Sequence, residues 1–262
     1  MTYFNSLWKV KADEALSDLM NPYKRQTHQT DYYGLGYIDT GLYQNKEDIL
    51  NSPRRLGSTQ TKLGDIGYTD VNGDGKIDGE DQVRIGKPTM PHFTYAFDFS
   101  LGYEGFTLSG LLYGTGERYM TFGNRYQSGE GKYLYYENQL NYWRPDNTGA
   151  DFPRISISSG VNGNNNKAGS TFWMRNASYL RLKDLQLSYD FKYKYLKKCD
   201  WLQTCRVNLS GSNLFTISGV SKFFDPETSS TSGDGYPVQR VYSIGVTTVS
   251  YTHLRAHETR SN

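Results

Sequence analysis

No stretch of the 262 residues approaches the ~20 apolar positions that a membrane-spanning helix requires, which excludes helical spans. Transmembrane strands are not excluded. They need roughly 9–11 residues, of which only alternate ones face lipid, and hydropathy hardly registers them. Charge of one sign is also lacking: 29 Lys and Arg stand against 27 Asp and Glu, a net +2, so no strong field points at nucleic acid. Cysteine is scarce. Cys199 and Cys205 flank DWLQT, and the spacing fits either a disulfide across a hairpin base or two free thiols. Met1 leads into TYFNSLWKVKADEAL, which has neither the basic start nor the apolar core of a secretory leader, so the true N-terminus is expected upstream. Catalytic constellations are missing too. His28 and His92 stand alone, no glycine-rich phosphate loop follows a strand, and no base sits near a nucleophile, so no enzyme is expected.

What is present is aromatic and glycine-rich. There are 23 Tyr, 12 Phe, 4 Trp and 27 Gly, with a mean hydropathy of -0.70. That is a strand-and-turn composition. Tyr95, Phe97, Phe99, Leu101 and Tyr103 alternate with Ala96, Asp98, Ser100 and Gly102, the period-2 pattern of a strand with one apolar face. Glu104-Gly105 predicts a tight turn into a returning strand from Phe106 to Tyr113. Alternation resumes in YLRLKDLQLSYDF from Tyr179, with a phase slip between Leu182 and Leu185 that suggests a bulge or a change of environment along the strand. RVNLSGSNLFTI and VQRVYSIGV follow.

Five strands are therefore predicted, near 92–103, 106–116, 179–191, 205–217 and 238–248, paired with their sequence neighbours in one antiparallel sheet. Short and long connections alternate, as in outer-membrane barrels with short turns on one side and long external loops on the other. Five strands cannot close a large barrel, and open edges are not tolerated in lipid, so further strands are expected upstream of residue 1. Residues 1–91 read as a strand end plus a polar external loop with a short helix near Lys46–Leu50, and 92–248 as barrel strands and external loops.

Two places could carry chemistry. DVNGDGKIDGED lays onto an EF-hand loop, with Asp70, Asn72 and Asp74 at positions 1, 3 and 5 and Gly75 at the sharp turn. The Lys76 carbonyl, Asp78 and Asp81 complete an oxygen set suited to a structural calcium ion. The alternative is an ion-free surface loop rich in Asx-turns. In the longest loop, Tyr142, Trp143, Arg144, Trp173 and Arg175 could stack on sugar rings or fork to a substrate's hydroxyls and carboxylates. They could equally pack the loop or an interfacial aromatic girdle, and Tyr133, Tyr135 and Tyr136 carry the same two readings.

These residues resemble a known family. YGLGYIDTGLYQNKEDI, GDIGYTDVNGDGKIDGEDQVRIGKP, FTYAFDFSLGYEGFTLSGLLYG, SYLRLKDLQLSYDF, RVNLSGSNLFTI and YPVQRVYSIGV occur in the order found in the C-terminal region of SusC/RagA-type TonB-dependent outer-membrane transporters, and cover most of the chain to about residue 247. The resemblance implies an all-β fold: antiparallel strands forming the C-terminal part of a transmembrane barrel of about 22 strands with an N-terminal plug. It implies import of oligosaccharides or peptides, energy delivered by TonB through an absent N-terminal region, and a SusD-like surface lipoprotein as partner. The sequence departs from the family after the last strand. Val249 to Asn262 contains VSYTHLRAHET, which reads as a translated transposase-type sequencing adapter and is expected to lie outside the fold. The His253/His257 pair, spaced like helical metal ligands, is discounted on that ground. A rival class is a secreted, calcium-stabilised carbohydrate-binding β-sandwich. A glycoside hydrolase would need two carboxylates facing a cleft, whereas the acidic residues concentrate in the calcium-like loop.

Overall fold

The computed structural model describes residues 1–30, 34–55, 57, 60–87, 90–127, 136–156, 161–199, 201–220, 222–228, 235–236 and 238–250. Its main sheet contains β1 (Thr2–Tyr3), β2 (Phe93–Tyr103), β3 (Phe106–Gly116), β4 (Tyr179–Asp190), β5 (Leu202–Ser218) and β6 (Val241–Ser250). They are hydrogen-bonded in sequence order from β1 to β6. Each predicted strand is present, and each pairs with its sequence neighbour. The chain start adds a short pairing, Thr2 opposite Thr94 and Tyr3 opposite Phe93.

Local chemistry explains the hairpin between β2 and β3. Glu104 and Gly105 have φ of 45° and 86°, the two left-handed residues of a type I′ turn whose twist matches the flanking strands. Gly105 is required for space as well, because a Cβ there would fall 3.1 Å from the Tyr193 side chain. A second glycine, Gly110, lets the Phe99 ring lie across β3: a Cβ on Gly110 would sit 2.6 Å from that ring. At the other end of the sheet β5 and β6 run antiparallel, with Val207 opposite Val246, Leu209 opposite Ile244 and Gly211 opposite Tyr242. Residues directly opposite share a face.

The two faces differ in chemistry. Phe97, Leu101, Tyr103, Phe106, Leu187, Leu209, Tyr242, Ile244 and Val246 are all exposed. They fall on alternate positions of successive strands, and Phe106 stacks on Tyr189 at 4.4 Å. Among the residues between them, the Ser212 hydroxyl donates to Asp184 at 2.8 Å. Burying one Phe, Leu, Ile or Val contributes about 1.5–3 kcal/mol. Leaving this many in water forgoes on the order of 10 kcal/mol, as much as the whole stability of a typical domain.

The structure departs from expectation in several places. β4 is one strand through Leu182–Leu185, with buried positions at Tyr179 and Arg181 and then at Ser188; among the described residues Asn213, φ 55°, in β5 is the left-handed non-glycine residue within a strand. Cys199 and Cys205 are free thiols. Val249 and Ser250 pair with Thr204 and Leu202, so β6 runs two residues into the stretch assigned to an adapter, because Val and Ser continue an extended backbone. Residues 251–262, with His253 and His257, lie outside the described residues. The short helix spans Lys46–Asn51 and starts with a capping box between Asn45 and Asp48.

The chain forms two compact units, each assembled from several segments. One unit takes Met1–Thr94, Thr115–Tyr179 and Ser218–Pro237; the other takes Tyr95–Gly114, Leu180–Ile217 and Val238–Asn262. The second holds most of the long strands. The first is built from the connections, and it has a core of its own: Tyr37, Ile66, Tyr68, Ile77, Met120, Phe122, Tyr126, Phe152, Trp173, Ala177, Val220 and Phe224 are buried together. Phe122 is its centre, with ring centroids of Phe223 at 4.8 Å, Tyr126 at 4.9 Å and Phe152 at 5.7 Å. Segments read as polar loops thus fold by aromatic packing, each such pair adding about 0.5–1.5 kcal/mol beyond burial.

Candidate functional site

The Asp70–Asp81 loop is closed by its own acidic side chains. Asp70 accepts from Gly73 N at 2.6 Å and from Gly75 N at 2.7 Å. Asn72, Asp74 and Asp78 each accept from the amide two residues on, at 3.0, 2.9 and 2.8 Å. This is the Asx-turn pattern. Asp81 is fully buried and accepts from Val71 N at 2.9 Å and Asp78 N at 2.8 Å. Burial alone would raise the Asp70 pKa, but the amides of Gly75, Gly73 and Asp74 outweigh it and hold the carboxyl below its ordinary range. Lys76 lies in a short parallel pairing opposite Arg54. A carboxylate has about four lone-pair sites, so these bonds leave the oxygens with the chemistry of a hard-cation site. Among the described residues no three His, Cys, Asp or Glu side chains are grouped as metal ligands, and the loop's carboxylates accept from its own amides.

The aromatic and arginine candidates do not form one surface. Trp173 is 1% exposed, and its indole N–H donates to the Asn166 carbonyl at 2.9 Å. Arg175 lies 5.0 Å over the Phe122 ring and donates to the carbonyls of Phe172 and Met174. Burial lowers its pKa, partly offset by Asp151 and Asp39. Trp143 is buried. Its N–H donates to Gln44 Oε1 at 2.9 Å, and Gly64 presses on the indole so closely that a Cβ would fall 2.5 Å away. The two indoles pack the loops, and Arg175 is half-buried against the same core. Tyr142 is partly buried against the same core; Arg144 stacks over it at 5.2 Å and pairs with Asp146 at 3.3 Å. Tyr136 stacks with Tyr126 at 4.9 Å, and burial together with the nearby Tyr136 pushes the Tyr126 hydroxyl up to about 12. Tyr133 and Tyr135 lie outside the described residues.

Composition alone hides the group that ties the loops together. Asp65, fully buried, pairs with the Arg154 guanidinium at 2.6 Å and accepts from Asn166 Nδ2 at 2.9 Å, Asn162 Nδ2 at 3.1 Å and Lys62 N at 2.8 Å. The same turn serves the strand Ile66–Tyr68: Ile66 N donates to Asn166 Oδ1 at 2.9 Å, and Asn165 Nδ2 donates to Ile66 O at 2.8 Å. The Asn-rich run therefore forms a 3-10 turn, Val161–Lys167, with left-handed backbone at Asn162 and Asn164, φ 55° and 58°. Asparagine tolerates that conformation better than other non-glycine residues. The usable signal was the pairing of GDIGY with an asparagine run about a hundred residues away, which local periodicity cannot reveal.

No family model matches the chain. In sequence it is 28% identical over 183 residues to TonB-dependent receptor P3 of Formosa agariphila, covering 70% of this chain and 17% of that one. It is 26% identical over 224 residues to TonB-dependent receptor P26 of the same organism, covering 79% and 21%. In structure it superposes on the RagAB peptide transporter with a TM-score of 0.58 at 23% identity, over 84% of this chain and 23% of that one. The RagAB peptide importer in its closed-closed state gives 0.58 at 22% identity, over 87% and 24%. In sequence the chain is thus similar to TonB-dependent receptors, and in fold to part of the RagAB structures. The chain spans about a fifth of the length of these relatives. Among the described residues the sheet of β1 to β6 is not closed.

The buried Asp65 pairing gives a measurable expectation. Asp65→Ala strands the Arg154 charge and two asparagine amides and is expected to cost about 3–5 kcal/mol. Asn166→Ala removes fewer partners and is expected to cost about 1–3 kcal/mol. Hydrogen exchange at the Ile66 amide checks both, with Asp65→Ala opening it more; unchanged protection in both variants would remove Asp65 as the tie.

Proposed function

We infer that this chain forms part of the wall and outer loop layer of a TonB-dependent importer in a bacterial outer membrane, one that takes up an oligosaccharide or peptide. The observation that carries this reading is the uncovered apolar face of β2 to β6, whose exposed rings and aliphatic groups are costly in water and stabilising against lipid. In this reading energy arrives through TonB, a SusD-like surface lipoprotein closes over the barrel, and this chain performs no covalent chemistry. RagAB is a peptide transporter, and the likeness supports peptides as one of the two substrate classes. A secreted β-sandwich would need two sheets packed face to face; a single six-stranded sheet disfavours it.

The membrane reading is tested by arginine substitution on either side of one strand. Ile244 and Ser243 are neighbours in β6 and point to opposite faces. In the intact receptor, Ile244→Arg is expected to cost about 2–4 kcal/mol near the bilayer midplane and to lower the folded, membrane-inserted fraction, whereas Ser243→Arg is tolerated. Equal tolerance at both positions would contradict the reading.

A structural calcium ion in the Asp70–Asp81 loop is a separate proposal supported by sequence spacing alone. Calorimetric titration of the intact receptor is expected to give calcium-binding heat that Asp74→Ala removes. Absence of any heat would leave the hydrogen-bonded turns as the whole account of the loop.

A further inference from the structure

The end of the sheet that carries the short connections is both basic and aromatic. The connection from β4 to β5 opens with a one-turn helix, Phe191–Lys194, and FKYKYLKKC, residues 191–199, holds four lysines and no acid. Asp190 caps that helix by accepting from the Lys192 amide at 2.9 Å. Lys192 turns back and donates to the Cys199 carbonyl, whereas Lys194, Lys197 and Lys198 are exposed. Lys197 lies 5.3 Å over the Tyr193 ring. Tyr193 packs on Gly105 in the β2–β3 turn, and the Asp190 amide donates to the Gly105 carbonyl at 2.9 Å, which holds the two connections at one end. The acids beside them are Glu104, exposed in the turn, and Asp190, which pairs with Arg206 at 3.8 Å.

Rings join this basic run to the uncovered apolar face. Phe106, on that face, meets Tyr189 at 4.4 Å, and Tyr189 meets Phe191 at 5.0 Å and Tyr195 at 6.2 Å. Tyr103, Tyr195 and Trp201 are exposed around them. Rings bordered by lysines suit a membrane–water boundary, where the rings sit at headgroup depth and the long lysine stems carry their charge out to the headgroups. We propose that the connection over residues 191–199 docks on an anionic phospholipid surface, with Lys194, Lys197 and Lys198 against the headgroup charge. The proposal rests on the membrane reading of the sheet and adds a lipid class to it. Attraction of lysines to an anionic leaflet grows residue by residue and fades within a Debye length, roughly 10 Å at 0.1 M salt. Three exposed ammonium groups on five consecutive residues act within that distance of one another.

The test uses the intact receptor in a neutral detergent, titrated with fluorescent phosphatidylglycerol or with phosphatidylcholine of the same acyl chains. Phosphatidylglycerol is expected to bind at least about tenfold tighter. Lys194→Gln, Lys197→Gln and Lys198→Gln together are expected to erase that preference and to leave phosphatidylcholine binding unchanged. Arginine at the same three positions is expected to keep it. Inorganic phosphate at matched ionic strength is expected not to displace the lipid. Equal binding of the two lipids, a preference that survives the glutamine changes or is lost with arginine, or displacement by phosphate, the mark of a free-anion site, would each overturn the proposal. Its failure is separable from failure of the membrane reading: a receptor that tolerates Ser243→Arg and not Ile244→Arg still spans a bilayer, whichever lipid these lysines meet.

Discussion

A sheet whose apolar side chains are left uncovered is stable only where something other than water meets them. β2 to β6 present Phe97, Leu101, Phe106, Leu209, Ile244 and Val246 to the outside, and the alternation that puts them there is the period of the strand itself. In the proposed membrane setting hydrocarbon makes this arrangement favourable, and it would impose a second demand: backbone groups within it must be paired. Sequential antiparallel pairing meets that demand strand by strand. The type I′ turn at Glu104-Gly105 is the local device that sets register in the first hairpin.

The connections obey a different rule. Outside hydrocarbon, a long loop is ordered only if it buries enough side chain to offset its conformational entropy. The segments Met1–Thr94, Thr115–Tyr179 and Ser218–Pro237 do so jointly. Phe122 gathers rings from four stretches of chain, and Asp65 with Arg154, Asn162 and Asn166 satisfies the polar groups that this packing buries. A buried charge is tolerated because each of its oxygens has partners. The Asp70–Asp81 loop repeats the same solution on a smaller scale, with carboxylates tied to backbone amides.

The strands were legible in the sequence because period-2 alternation is a local signal; Tyr95 to Tyr103 and Phe106 to Tyr113 announce both their faces and their turn. The helix at Lys46 was legible for a similar reason, since its cap lies next to it. The loop core was not. Phe122, Phe152, Trp173 and Phe224 are spread along the chain without period, and only the fold brings them together. That is why Trp143, Trp173 and Arg175 read either as ligand contacts or as packing; the structure buries the two indoles and half-buries Arg175. The Asp70–Asp81 loop shows the opposite limit: its spacing is legible residue by residue, while the bonds from the Gly73 and Gly75 amides to Asp70 are visible only in the fold.

The membrane account is tested most directly by measuring what surrounds the two faces of β6. Spin labels at Ile244 and Ser243 in the intact receptor, reconstituted in lipid vesicles, report their exposure to oxygen, which concentrates in hydrocarbon, and to a water-soluble nickel chelate. The account predicts that the label at Ile244 meets oxygen and is shielded from the chelate, with the reverse preference at Ser243. Chelate access at Ile244 equal to that at Ser243 would contradict it.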